Sequence, residues 1–185
     1  MNVKGIAVSA TYNYIKKNFP EDLTEWLNNL SPASQKIFKN IILPSEWYPA
    51  YEAVVEPTQL VGEMFIGSAE KAAFEIGKYS AQEGLKGVYR VFARLSSINY
   101  IIKRSIPIYA NYYDTGQFSI ITNEKGNAVL KLSGVPKKFY LVIHRVAGWI
   151  FEIPFILNKT VKKVEFKKLL LNDLVDTYFY LEWED

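Results

Sequence analysis

The stretch Phe139–Leu157 constrains this chain more than any other part of it. Its length and apolar character approach those of a transmembrane span. Yet His144, Arg145 and Glu152 lie in its middle. On insertion scales an Arg or Glu at bilayer depth costs about 2.5 kcal/mol or more. The stretch therefore reads as the buried central helix of a globular domain, near Lys138–Ile153. Both of its flanks alternate with the two-residue period of strands. Before it, Phe118, Ile120 and Thr122 alternate with Gln117, Ser119, Ile121 and Asn123, and Ala128, Leu130 and Leu132 alternate with Val129 and Lys131. The turn signal Glu124-Lys125-Gly126-Asn127 joins the two as a hairpin. After it, Val164 and Phe166 alternate with Lys163, Glu165 and Lys167, and Thr177, Phe179, Leu181 and Trp183 alternate with Tyr178, Tyr180 and Glu182. With a two-residue turn at Asn172-Asp173, Lys163 faces Glu182, and Val164 and Phe166 face Leu181 and Phe179. Opposite charges then meet on one face and apolar side chains on the other.

Ahead of this β-β-α-β-β unit the chain reads helical. Ser9 is a start signal for a segment through Phe19, Pro20-Glu21-Asp22 for one with the stripe Leu23, Trp26, Leu27 and Leu30, and Ser31-Pro32 for one to about Ile42. Leu43–Pro49 breaks the chain, and there Trp47 and Tyr48 are expected to be buried between Pro44 and Pro49. A helix from about Pro49 to Phe65 follows, kinked or split at Pro57. Ser68 caps Ala69–Glu83, a helix with a face of small residues that lets another helix approach closely. Val88–Leu95 comes next, and Ser96 or Ser97 caps a helix to about Tyr113, bent near Pro107. Helices segregated ahead of a helix-on-sheet unit predict an α+β fold with a four-stranded antiparallel sheet. The expected organisation is one domain over 1–185, mainly helical over 1–116 and β-β-α-β-β over 117–185.

Composition removes several chemistries. The 185 residues contain no cysteine and one histidine, so disulfides, thiolate metal sites, Cys nucleophiles and multi-His zinc sites are excluded. A net charge of +3 does not by itself call for a nucleic acid or an acidic membrane. Aromatic residues make up 15%. Met1-Asn2-Val3-Lys4-Gly5-Ile6 lacks the apolar run of a signal peptide, which with the absence of cysteine points to the cytoplasm. Glycine-rich phosphate loops, nucleophile elbows and zinc-protease motifs are missing, so a non-enzymatic role is expected.

Short pieces in order along the chain carry a resemblance: Val3-Lys4-Gly5, Leu43-Pro44-Ser45-Glu46-Trp47-Tyr48-Pro49, Ile76-Gly77-Lys78-Tyr79-Ser80, Leu85-Lys86-Gly87-Val88-Tyr89-Arg90-Val91-Phe92, Tyr112-Tyr113-Asp114-Thr115-Gly116, Ala147-Gly148-Trp149 and Leu181-Glu182-Trp183. With the β-β-α-β-β end, the chain resembles an uncharacterised bacterial family within the superfamily of heme-NO-binding (H-NOX) domains, 4-vinyl reductase domains and TRAPP vesicle-tethering subunits. The resemblance implies a ligand-sensing or interaction domain. It departs from each relative. Vinyl-reductase-like domains often carry cysteines between the last two strands, where Leu170-Leu171-Asn172-Asp173-Leu174-Val175 stands here. TRAPP-type subunits can carry an acyl chain on a cysteine. H-NOX domains need an axial His on the helix before the first hairpin and a Tyr-x-Ser-x-Arg motif. Here the one histidine, His144, follows that hairpin, and the motif is absent. No cofactor is expected, and heme binding in the H-NOX manner is not.

Two groups of side chains are candidates for a site. Tyr109, Tyr112 and Tyr113, with Tyr89, Phe92 and Tyr100, would line an apolar cavity between helices and sheet, or else form the core itself. His144, Gly148 and Glu152 share a helical face with Arg145 beside it. They form either a polar cluster at a pocket or, as the favoured reading, the solvent- or edge-facing stripe of the helix. The basic run Lys159, Lys162, Lys163, Lys167 and Lys168 reads as ordinary strand pairing rather than a nucleic-acid or lipid surface. The expected function is a sensory or binding domain for a small apolar ligand without heme. The alternative is a protein-interaction scaffold or homodimer with a filled core. A cavity of roughly 300 Å³ or more would favour the former.

Overall fold

The computed structural model of the chain describes residues 1–84, 86 and 97–184. Val88–Leu95, and with it Tyr89 and Phe92, lies outside the described residues.

The helical half begins with a short strand, β1 (Asn2–Lys4), which runs directly into α1 (Gly5–Asn18). Ser9 therefore does not start this helix: it lies inside the second turn, and its Oγ donates to the Gly5 carbonyl at 2.9 Å. Next come α2 (Leu23–Asn29) and α3 (Pro32–Phe38). Ser31 caps α3, its Oγ accepting from the Ser34 amide at 3.3 Å. Glu56 gathers the same corner, accepting from the Ser31 amide at 2.6 Å and from the Ser31 and Ser34 hydroxyls at 2.7 Å each.

The break at Leu43–Pro49 contains strand β2 (Trp47–Pro49), which pairs antiparallel with β1. This overturns the expected burial of Trp47. In a two-stranded ribbon at the surface its ring is 43% exposed, with the Lys4 ammonium 4.2 Å above it. Tyr48 is half-buried and accepts from the Leu43 amide at 2.9 Å.

The segment after Pro49 is helical but not uniform. Widened π-turns (Tyr51–Val55 and Gly62–Ile66) run continuously into α4 (Glu56–Val61), so Pro57 lacks its amide inside a helical stretch, and the Glu52 carbonyl five residues back accepts from Ser34 Oγ at 2.7 Å instead. Helix α5 (Ala69–Gly84) is capped by Ser68, as expected. Helix α6 (Ile98–Tyr112) is capped by Ser97 and contains Pro107.

The second half is the predicted β-β-α-β-β unit: β3 (Gln117–Glu124), β4 (Asn127–Pro136), a 3-10 turn (Lys137–Phe139), α7 (Tyr140–Ile156), β5 (Thr160–Leu171) and β6 (Leu174–Glu184). The sheet is antiparallel with order β3-β4-β6-β5. In the last hairpin Lys163 faces Glu182, Val164 faces Leu181 and Phe166 faces Phe179, as the turn at Asn172-Asp173 dictates, until a bulge between Val161 and Lys163 shifts the register. The ion pairs do not follow the register. Lys163 reaches Glu165 on its own strand at 3.3 Å, and Lys162 pairs with Glu184 at 2.8 Å. On the inner face Thr177, Phe179, Leu181 and Trp183 are all buried.

Helix α7 lies between α5 and the sheet. By length and composition the run Lys137–Ile156 could cross a membrane, but most of it is buried inside the protein. Two glycines set its distance from α5. A Cβ on Gly77 would fall 2.1 Å from the Arg145 carbonyl oxygen, and one on Gly148 would fall 2.0 Å from that of Phe74. The small-residue face of α5 is thus met by a matching gap on α7.

Candidate functional site

Burial on several sides of α7 leaves no solvent-facing stripe. His144, Arg145 and Glu152 are all buried, and each finds a separate environment. Glu152 accepts from Gln82 Nε2 at 2.8 Å across the α5 contact. His144 turns toward the sheet, edge-on to Phe166 with ring centroids 5.3 Å apart, and its Nε2 lies 2.7 Å from Lys168 Nζ. An ammonium has only donors, so the imidazole accepts and is neutral. Burial, and then the Lys168 charge, push its pKa down to about 4, partly opposed by Glu70. This environment overturns the reading of His144 as an edge-facing residue. It also takes His144 out of the cavity group, because it is not part of the cavity wall.

That cavity lies where α1, α5, α6, α7 and β3 converge. Its volume is about 60 Å³. Tyr109, Tyr112, Phe118, Val146, Trp149 and Ile150 supply most of its apolar wall, and Ala7 and Gly77 contribute the small positions. Tyr113 and Arg145 complete it. Three of the expected aromatic residues, Tyr109, Tyr112 and Tyr113, are therefore brought together. Tyr100 is not: it is 52% exposed. Ile98, Ile102, Ser105 and Tyr109 define the inner face of α6, and at 100° per residue position 100 points away from it.

The polar atoms of the wall are mostly committed locally. Tyr109 donates to the Thr115 carbonyl at 2.7 Å, and Ser105 to that of Ile102 at 2.6 Å. Burial pushes the Tyr109 and Tyr113 ionisations upward, so both phenols stay protonated at neutral pH. Gly116, with φ +87°, turns the chain where a Cβ would meet the Tyr109 hydroxyl at 2.7 Å. Asp114 accepts from the Asn2 amide at 2.6 Å and from its side chain at 2.8 Å, while Val3 bridges to Tyr113. The sequence piece Tyr112-Tyr113-Asp114-Thr115-Gly116 is thus the corner that ties β1 to the cavity wall.

Arg145 is the wall residue that sequence reasoning placed on the wrong side. It is 4% exposed. Its Nη2 donates to the Ala7 carbonyl at 3.2 Å and to Thr11 Oγ1 at 3.0 Å, and its Nη1 has no acceptor. The charge inside an apolar run was visible in the sequence, but its partners on α1 were not.

No family model matches the sequence, and no curated protein matches it. Solved structures do match. An Fe(II) unliganded H-NOX protein from K. algicida superposes with a TM-score of 0.73 at 9% identity, covering 98% of this chain and 97% of that one. An oxygen-binding H-NOX domain related to soluble guanylate cyclases, solved as an oxygen complex, gives 0.73 at 11% identity, covering 98% and 95%. The chain has the H-NOX fold. A third H-NOX structure, from work on heme distortion in that family, gives 0.69 at 12% identity, with the same coverage of 98% and 95%.

The H-NOX fold raises the question of heme. The helix before the first hairpin is α6, and Ile98–Tyr112 contains no histidine. The chain's one imidazole is on α7 and is held against Lys168. The phenols on the described wall resist ionisation, and the cavity is well below the roughly 300–1,000 Å³ that larger ligands occupy. The described residues do not fit an axially ligated heme. Nor do any three His, Asp or Glu among the described residues cluster as metal ligands.

Proposed function

We propose that this chain is a non-enzymatic sensory or binding domain of the cytoplasm that takes a small, largely apolar ligand without heme. One observation carries the reading. Within an H-NOX fold, the junction of helices and sheet contains a cavity walled by Tyr109, Phe118 and Trp149 and lacking an imidazole among its described residues. Its size falls short of the roughly 300 Å³ that would favour a ligand domain, so on this measure the filled-core alternative gains, and a ligand taken here must be smaller. A water needs about 10–15 Å³ of such space, so the cavity has room for roughly four to six heavy atoms.

A second reading, a protein-interaction scaffold, is favoured by the small cavity and by one surface feature. Leu169, Leu170, Leu171 and Leu174 at the β5–β6 tip are each 43–57% exposed. Native mass spectrometry of the purified chain separates the two. A bound small mass on a monomer supports the ligand domain, and a ligand-free homo-oligomer supports the scaffold. The heme-free part is tested separately by reconstitution with hemin. A sharp, stoichiometric Soret band would overturn it.

A further inference from the structure

Strand β5 is an edge of the sheet, with β6 as its neighbour. Near its end both of its faces are apolar and exposed. Successive side chains of a strand point to opposite faces. Leu170 therefore lies on the face of Lys168, which turns toward His144 on α7. Leu169 and Leu171 lie on the face of Lys167, whose ammonium sits over the Tyr180 ring. All three leucines are exposed, and so is Leu174, which pairs with Leu171 across the turn. At about 3.3 Å per residue they occupy the last roughly 10 Å of the hairpin. The basic run of β5 divides at this end. Lys162 and Lys163 have carboxylate partners. Among the described residues, Lys167 and Lys168 have none within ion-pair distance, and neither do Lys137 and Lys138. Lys137 is tied to the turn, its amide donating to the Asp173 carbonyl at 2.8 Å. Lys137, Lys138, Lys168 and Leu170 line one groove with Tyr51 and Tyr140. The carboxylates close by are Asp173 in the groove wall and Glu70, whose charge acts on Lys168 without reaching it. Cations thus surround an apolar tip and outnumber the acids there.

We propose that the β5–β6 tip docks this domain on an anionic lipid bilayer, with the four leucines entering the boundary between headgroups and acyl chains and Lys137, Lys138, Lys167 and Lys168 meeting the headgroups. Interfacial segments sink their apolar part about 5–10 Å, which matches the length of the leucine tip. Lysine stems are long enough to lie along apolar surface while their ammonium groups stay at the headgroup level. A protein partner packed on a strand covers one of its faces, whereas a bilayer surrounds both. A two-fold contact of this end with a second copy would set the same lysines against one another. An apolar anchor and a basic patch are the two signals that together give stable peripheral binding. The inference is independent of the cavity, and it takes the leucine tip away from the scaffold reading.

The test is co-sedimentation of the full chain with vesicles of phosphatidylcholine alone and of phosphatidylcholine mixed with phosphatidylserine. Each lysine at an anionic surface is worth about fivefold, so the mixed vesicles are expected to bind about tenfold or more tighter, an advantage that high salt removes. The double variant Leu170→Ser, Leu171→Ser is expected to lose binding to the mixed vesicles. The double variant Lys137→Gln, Lys138→Gln is expected to lose about tenfold of the preference for them. Because the lipid comparison uses the unaltered chain, it stands even if a variant does not fold. Failure to bind the mixed vesicles would overturn the proposal. Binding that both variants leave unchanged would also overturn it, by placing the contact on another surface. A homo-oligomer that ignores vesicles and becomes monomeric in the leucine variant would overturn it in favour of a second copy on the tip.

Discussion

Gly148 on α7 lies against the main-chain carbonyl of Phe74 on α5, where a Cβ would come within 2.0 Å of the oxygen. Backbone cannot yield there as a flexible side chain would. Gly148→Ala should therefore force the helices apart. Overpacking typically costs about 1–3 kcal/mol, against about 1 kcal/mol gained in helix propensity. A 2.0 Å approach to backbone puts the cost near the upper end, so a net loss of about 2 kcal/mol is expected by urea unfolding. An unchanged midpoint would mean that the helices are not in contact here.

The His144–Lys168 pair predicts a pH dependence. The folded pKa of His144 is about 4, below the 6.5 of an ordinary histidine. The unfolded chain then binds the extra proton, and stability falls as pH drops from about 6.5 toward 4. The contribution is on the order of 2 kcal/mol. His144→Gln keeps an acceptor for Lys168 but does not titrate. Its unfolding free energy should change less than that of the wild type between pH 7 and 4.5, and parallel curves would remove histidine as the cause.

The two tryptophans of the helical half should behave oppositely. Trp26 is fully buried, edge-on to Phe38 with centroids 5.1 Å apart. Trp26→Ala should cost about 3–5 kcal/mol. Trp47 has an exposed face and a lysine contact worth about 0.5–1 kcal/mol, so Trp47→Ala should cost about 1 kcal/mol or less. Chemical denaturation of the two variants checks the pair, and similar losses would contradict the surface position of β2.

Strand β6 lies between β4 and β5, so a chain ending at Val175 loses partners on both sides. Phe179, Leu181 and Trp183 are buried, each worth roughly 1.5–3 kcal/mol, which together rivals a domain's net stability of about 5–15 kcal/mol. The shortened chain should be insoluble or unfolded, and one ending at Trp183 should match the full chain. Unchanged circular dichroism and melting in the shorter form would contradict the central place of β6.

What the sequence made legible was local and periodic. Alternation at Phe118–Thr122 and Thr177–Trp183, and the Asn172-Asp173 turn, were enough to place Phe166 opposite Phe179. Local signals misled where a distant element intervened. Ser9 resembles a cap, yet Gly5 already continues from a strand whose partner is Trp47–Pro49. The polar residues of α7 suggested a wet face because Gln82, Lys168 and Thr11, which satisfy them, lie far along the chain. Tyr109 and Tyr113 were identified as wall residues by type, whereas Arg145 needed its three-dimensional neighbours.

The strand order also has a consequence in time. The β3–β4 and β5–β6 hairpins each close through a two-residue turn, an event of about 1–10 μs. The seam between β4 and β6, where Leu130 meets Phe179, joins segments separated by all of α7 and β5. Such long-range pairing is slow, because the intervening chain must be ordered first. A two-stranded ribbon alone is marginal in water, so neither hairpin is secure until the β4–β6 seam closes and α7 covers the sheet.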